Sequence, residues 1–192
     1  MSVDKIQIIE GRIPILISVP HAVKHIRGNK EKLGELNTDI IGHNVQNYTH
    51  CHLFLNTGVT GGPNYDEVNV YKGVLADYVI QNNIKYVIDI HGAADQWEFD
   101  FELGTAMNRN VKAYEDTVDI LLDLSKENGY STTVDTYFPA CGANRITTYI
   151  HRLTGVPSLQ IEINYKRRMD EISIHSTSLF ISEFVKKLES VL

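Results

Sequence analysis

Three apolar, β-prone runs in this chain each end on a side chain that binds metals or moves protons. IPILISVP at 13–20 runs into His21, YVIDI at 86–90 into His91, and SLQI at 158–161 into Glu162. In open α/β sheets ligands sit outside the carboxyl ends of the strands, so residues placed there converge although they are distant in sequence. Three such runs in one chain predict a site with two imidazoles and a carboxylate.

The segments between these runs have the length and periodicity of helices and further strands. Strands are expected near 5–9 and over 52–56 and 101–104, and a strand or loop fills 130–138. Helices are expected over 38–49 with Thr38 as N-cap, and over 70–82, 111–128, 145–154 and 176–190. In the third of these, Val118, Leu121, Leu122 and Leu124 supply the apolar positions and Gly129 the stop. The segments 28–30, 57–66 and 93–100 are rich in turn or polar residues and read as loops. Strands alternating with helices predict an α/β layered sheet with mostly parallel neighbours. With 192 residues, no repeat and no linker, one domain spanning 1–192 is expected.

A net charge of −6 argues against a nucleic-acid partner held by a basic face. The cluster Lys166, Arg167 and Arg168 is read as solvated surface. No stretch approaches the ~20 apolar residues that cross a bilayer, and the opening MSVDKIQIIEGR lacks the apolar core of a secretion signal. Neither a membrane nor a secretory route is therefore expected. Cys51 and Cys141 form no disulfide framework or CxxC pair, which suits a reducing cytoplasm. Cys141, beside Gly142, has no neighbour in sequence that would activate it and reads as a structural or incidental thiol.

The chemistry follows from the strand ends. Asp89 lies two residues before His91, so on a regular strand both side chains share a face, and a carboxylate behind an imidazole fixes its tautomer for metal binding. Gly92 permits a tight turn or close approach of the backbone to a ligand. A catalytic zinc takes three protein ligands and leaves a position open. His21 and His91 supply two of them. Asp39, in ELNTDIIGH, is the choice for the third, with Glu35 and His25 in reserve. Glu162, between two isoleucines, needs a partner when buried. That partner is a metal-activated water, for which Glu162 serves as general base, or an arginine. Arg145 and Arg109, each following an Asn (Asn144 and Asn108), are the candidates for gripping a substrate carboxylate, with Asn144 beside Arg145. Tyr149 and His151 are weaker candidates for the same cleft.

In order along the chain, SVPHA at 18–22, GELNTD at 34–39, VIDIHG at 87–92 and VPSLQIEIN at 156–164 resemble the N-formylglutamate amidohydrolase family, zinc-dependent hydrolases related in fold to the zinc carboxypeptidases. The resemblance implies a three-layer αβα sandwich around a mixed, mostly parallel sheet of the phosphorylase/hydrolase-like type. It implies one zinc ion per chain on His21, Asp39 and His91, with Glu162 as the catalytic carboxylate. Val23 and Gly92 depart from the family pattern, and the loop 60–69 lacks the family's arginine-rich stretch although Asp66 and Asn69 remain. The expected activity is thus hydrolysis of a C–N amide bond in a small acidic or N-acylated amino acid, a small-molecule substrate like N-formylglutamate but not fixed as it. A carboxypeptidase-like or poly-γ-glutamate hydrolase, and a catalytically silent binding protein of the same fold, are the competing expectations.

Overall fold

Alternation along a strand decides which face each residue occupies, and here the two faces of the central sheet differ in chemistry. The computed structural model describes residues 5–27, 30–58 and 61–192. The strands are β1 (Ile6–Ile9), β2 (Ile15–Val19), β3 (His25–Arg27), β4 (Lys30–Lys32), β5 (His52–Asn56), β6 (Tyr86–Ala93), β7 (Phe101–Gly104), β8 (Thr132–Val134) and β9 (Ser158–Asn164). The helices are α1 (Thr38–Thr49), α2 (Val70–Gln81), α3 (Asp116–Glu127), α4 (Ile146–Thr154) and α5 (Glu171–Glu189).

Seven strands form one sheet in the order β1-β5-β2-β6-β9-β7-β8. The central β5, β2, β6 and β9 run parallel. β1 is antiparallel to β5, β7 is antiparallel to β9, and β8 is parallel to β7. Strands β3 and β4 make a separate hairpin.

Ile15, Ile17 and Val19 of β2, with Ile88 and Ile90 of β6 and Ile161 and Ile163 of β9, pack against α1, α3 and α5. The alternate residues Leu16, Phe54 and Val87 pack against Tyr71 and Leu75 of α2 and Ile146 and Ile150 of α4. Helices thus cover both faces, giving the three-layer αβα sandwich with a mixed, mostly parallel sheet. On the α2/α4 face the strands change character towards their carboxyl ends. Leu16 gives way to Ser18, Phe54 to Asn56, Val87 to Asp89 and His91, and Gln160 is followed by Glu162 and Asn164, all buried. The other face stays apolar to its end. This one-sided switch from apolar to polar places the site.

Local differences from the sequence reading have identifiable causes. α5 begins at Glu171, ahead of the expected 176, because Asp170 accepts the Ser173 N–H at 2.8 Å in a capping box. α3 begins at Asp116, after a stretch in which Ala106, Met107 and Asn108 all take positive φ. The expected loop at 28–30 is flanked by the β3–β4 hairpin. Residues 28–29 and 59–60 of the two predicted loops, and residues 1–4 of the opening segment, lie outside the described residues. No helix among the described residues is long and apolar enough to cross a membrane.

Candidate active site

The strand ends bring His91 on β6 beside Glu162 on β9 in register, and His21 follows β2 after Pro20. A third group arrives from the loop before α1. Gly34 passes so close to Ala22 that a Cβ at this position would lie 2.5 Å from the Ala22 carbonyl oxygen. This approach lets the Glu35 N–H donate to the His21 carbonyl at 2.7 Å, while Thr38 Oγ1 donates to the Glu35 carbonyl at 2.8 Å. Asn37, with φ 62°, then turns the chain into α1, and its Nδ2 donates to the Arg168 carbonyl at 2.7 Å.

Glu35 Oε2 consequently accepts the Gly92 N–H at 2.8 Å and lies 3.6 Å from His91 Nδ1. His21, Glu35 and His91 each offer a ligand atom, and these atoms lie within 4.8 Å of one another. The His21 and His91 ring centroids are 5.0 Å apart, and His25 stacks on His21 at 4.0 Å.

The electrostatics suit a cation. Burial holds His21 neutral, with its pKa lowered to about 3 despite the charge of Glu35, and its Nδ1 is buried without a hydrogen-bond partner. Burial alone would raise Glu35, but the imidazoles of His21 and His91 and the Gly92 N–H bring it down to about 2. Burial also opposes charge on His91, yet Asp89 and Glu35 on either side hold its pKa well above the ordinary value. Asp89 Oδ2 lies 2.8 Å from His91 Nε2, and Asp89 Oδ1 accepts from Ser18 Oγ at 2.6 Å. With Nε2–H directed at Asp89, the Nδ1 lone pair of a neutral His91 faces Glu35. A lone-pair imidazole with no partner, an ionised carboxylate and a second imidazole backed by a carboxylate fit a divalent metal ion.

Glu162 lines the same cavity, of about 870 Å³. Burial raises its pKa to about 7; Glu35 and Asp89 add to the shift, and His91 and Arg145 oppose it. Its carboxylate accepts from Gln160 Nε2 at 3.1 Å, and among the described residues no cation lies within ion-pair distance of it. A carboxyl poised near neutrality is matched to proton transfer.

No protein-family model matches the chain, and no curated protein matches it. Solved structures do. N-formylglutamate amidohydrolase from Ralstonia eutropha JMP134 aligns with a TM-score of 0.71 at 12% identity, over 98% of this chain and 98% of that one. A bacteriophage poly-γ-glutamate hydrolase aligns at 0.64 with 16% identity, over 97% of this chain and 90% of that one. Zinc-free apo YNDL aligns at 0.58 with 16% identity, over 97% and 92%. What is shared is the fold.

Of the residues singled out in the sequence, the structure gathers His21, His91, Glu162 and Arg145 around one cavity. Asp39 is not among them. It sits in the first turn of α1, and Glu35, held in reserve in the sequence reading, stands with the two histidines. The physical reason is that the close approach at Gly34 folds the preceding loop, not the helix, onto His21. Arg145 precedes α4, and its Nη1 donates to the Asn64 carbonyl at 3.2 Å. Asn144 does not line the cavity; its Nδ2 donates to the Tyr65 carbonyl at 3.1 Å. Arg109 is exposed away from the cavity, and its Nε donates to the Ala106 carbonyl at 2.8 Å.

Asn64 and Arg168 are among the residues around the site to which the sequence reading gave no role there. Asn64 lines the cavity beside His91, and its Oδ1 accepts the Ile146 N–H at 2.8 Å, which ties the start of α4 to the site. Only its place in a turn-rich loop marked it. Arg168, expected in solvent, is 4% exposed. Its Nε, Nη1 and Nη2 donate to the carbonyls of Ile163, Leu36 and Ala93 at 3.2, 2.8 and 2.8 Å. Lys166 and Arg167 pair with Asp100 at 2.9 and 2.8 Å.

Proposed function

We propose that this chain is a divalent-metal-dependent hydrolase of a C–N amide bond in a small N-acylated amino acid. The observation that carries the reading is the meeting of His21, Glu35 and His91 beside the buried Glu162, whose pKa burial pushes up, at the ends of parallel strands. Zinc is the ion proposed, since two imidazoles and one carboxylate are a donor set used by catalytic zinc sites. The fold shared with amide hydrolases, and with a protein whose apo form is described as zinc-free, supports the same choice.

When bound, a divalent ion supplies Lewis acidity to the scissile carbonyl and to the attacking water. Glu162 takes the proton of that water and returns it to the leaving nitrogen, a double duty for which a pKa near neutrality is suited. Asp89, anchored by Ser18, keeps the His91 ring oriented through Nε2. Arg145, on the cavity wall, offers its guanidinium to the carboxylate of the amino-acid part and so positions the amide.

The test is hydrolysis of formyl-, acetyl- and γ-glutamyl-amino acids by zinc-loaded protein, with Glu162→Gln as the control. Turnover by the wild type is expected to fall by at least about a hundredfold in Glu162→Gln, a typical scale for loss of general-base catalysis, while zinc content stays the same. Full activity in Glu162→Gln would remove Glu162 from this role.

A further inference from the structure

Trp97, the single tryptophan of the chain, lines the same cavity as Glu162 together with Tyr137 and Phe138. Amide hydrolysis itself has no need of these rings. The centroids of Tyr137 and Phe138 lie 4.9 and 5.2 Å from that of Trp97, the spacing of packed aromatic rings. Tyr137 is 44% exposed, so part of this wall faces solvent or a ligand.

The wall is fixed from below by polar groups next to the catalytic carboxylate. Glu102 of β7, fully buried and paired in register with Glu162, accepts the N–H groups of Thr136, Tyr137 and Phe138 at 2.7, 2.8 and 3.2 Å through one oxygen. Asn164, two residues past Glu162 and also fully buried, donates Nδ2 to the Trp97 carbonyl at 2.9 Å. Gln160 Nε2 contacts the Phe138 carbonyl at 3.3 Å as well as Glu162. Burying a carboxylate is costly, and this one is satisfied by the segment that carries two of the rings. The rings are therefore pre-organised relative to Glu162, which lowers the entropy lost when a ligand packs on them.

The rest of the lining narrows the ligand. Arg27, Lys32 and Arg145 are cations on the cavity wall, whereas Glu35 and Glu162 are the carboxylates among its described residues. Cations with an aromatic wall favour a carboxylate-bearing ligand over a neutral carbohydrate. We infer that Trp97, Tyr137 and Phe138 form a subsite for an aromatic side chain, and that the substrate is an N-acylated amino acid with a free carboxylate and such a side chain. For the reaction, though not for the binding, this rests on the amidohydrolase reading.

Trp97 emission reports the subsite without turnover. Zinc-loaded and metal-free protein are titrated with N-acetyl-phenylalanine, N-acetyl-alanine and N-acetyl-glutamate, and calorimetry covers Trp97→Ala, where the fluorophore is lost. The phenylalanine compound is expected to bind at least about tenfold more tightly than the alanine compound, equivalent to about 1.4 kcal/mol. That ratio is expected to shrink towards one in Trp97→Ala, Tyr137→Ala and the milder Phe138→Leu. Equal affinities in the wild type, no binding by any of the three, or a preference that survives all three variants would overturn the subsite. A preference without hydrolysis keeps the subsite and removes the amidohydrolase reading; hydrolysis without a preference does the reverse.

Discussion

The guanidinium of Arg168 fills the space beside Gly92: a Cβ at position 92 would fall 2.6 Å from Cζ of Arg168. The glycine after His91, read from the sequence as allowing a tight turn or close approach to a ligand, lines the cavity and also makes room for a buried arginine. The N–H of Gly92 binds Glu35, so its backbone position and the arginine are linked to the carboxylate that stands with the two histidines.

Gly92→Ala is expected to destabilise the protein by about 1–3 kcal/mol, the usual cost of forcing a methyl into a packed interior. Differential scanning calorimetry reads this as a lower Tm. An unchanged Tm would mean that Arg168 moves aside freely, against its three carbonyl contacts.

Arg168 connects three segments that carry the site. Leu36 follows Glu35, Ala93 lies two residues after His91, and Ile163 follows Glu162, and the carbonyl of each accepts from this one guanidinium. Arg168→Met keeps the apolar stem but leaves those acceptors without it. A loss on the order of 3 kcal/mol in urea unfolding is expected, since each unsatisfied buried polar group costs about 1–3 kcal/mol. A variant as stable as the wild type would show that water replaces the guanidinium.

Glu162 makes the metal-free fold pH-sensitive. Burial, the largest cause, raises its folded pKa to about 7 from the ordinary 4.5, so the folded state binds the proton more tightly than the unfolded state. The stability that this proton contributes is complete below about pH 4.5 and is lost as pH rises through about 7. Glu162→Gln cannot ionise. Between pH 5 and pH 9 its urea midpoint is expected to fall less than that of the metal-free wild type, and parallel curves for the two would contradict the raised pKa.

Much of the architecture was legible because β2, β6 and β9 are short apolar runs and α1, α2 and α4 fill the gaps between strands at nearly the expected positions. The strand ends His21, His91 and Glu162 were legible for the same reason: on a parallel strand a polar residue after an apolar run has one place to go. Glu35 was harder to place because loop geometry, not periodicity, delivers it, and the steric approach of Gly34 to Ala22 is a tertiary fact. Arg168 was misjudged because a run of three basic residues looks solvated until carbonyls from distant loops are found around one of them. The support of the aromatic wall by Glu102 depends on pairing β7 with β9, which local sequence does not encode.

The central claim is that His21, Glu35 and His91 hold one divalent ion, and zinc binding to purified, chelator-stripped protein tests it most directly. One zinc per chain is expected for the wild type and for Asp39→Asn, with affinity reduced by at least about a hundredfold in Glu35→Gln and His91→Ala, as loss of a ligating group implies. No zinc on the wild type, or Glu35→Gln binding as tightly as the wild type while Asp39→Asn does not, would contradict the account.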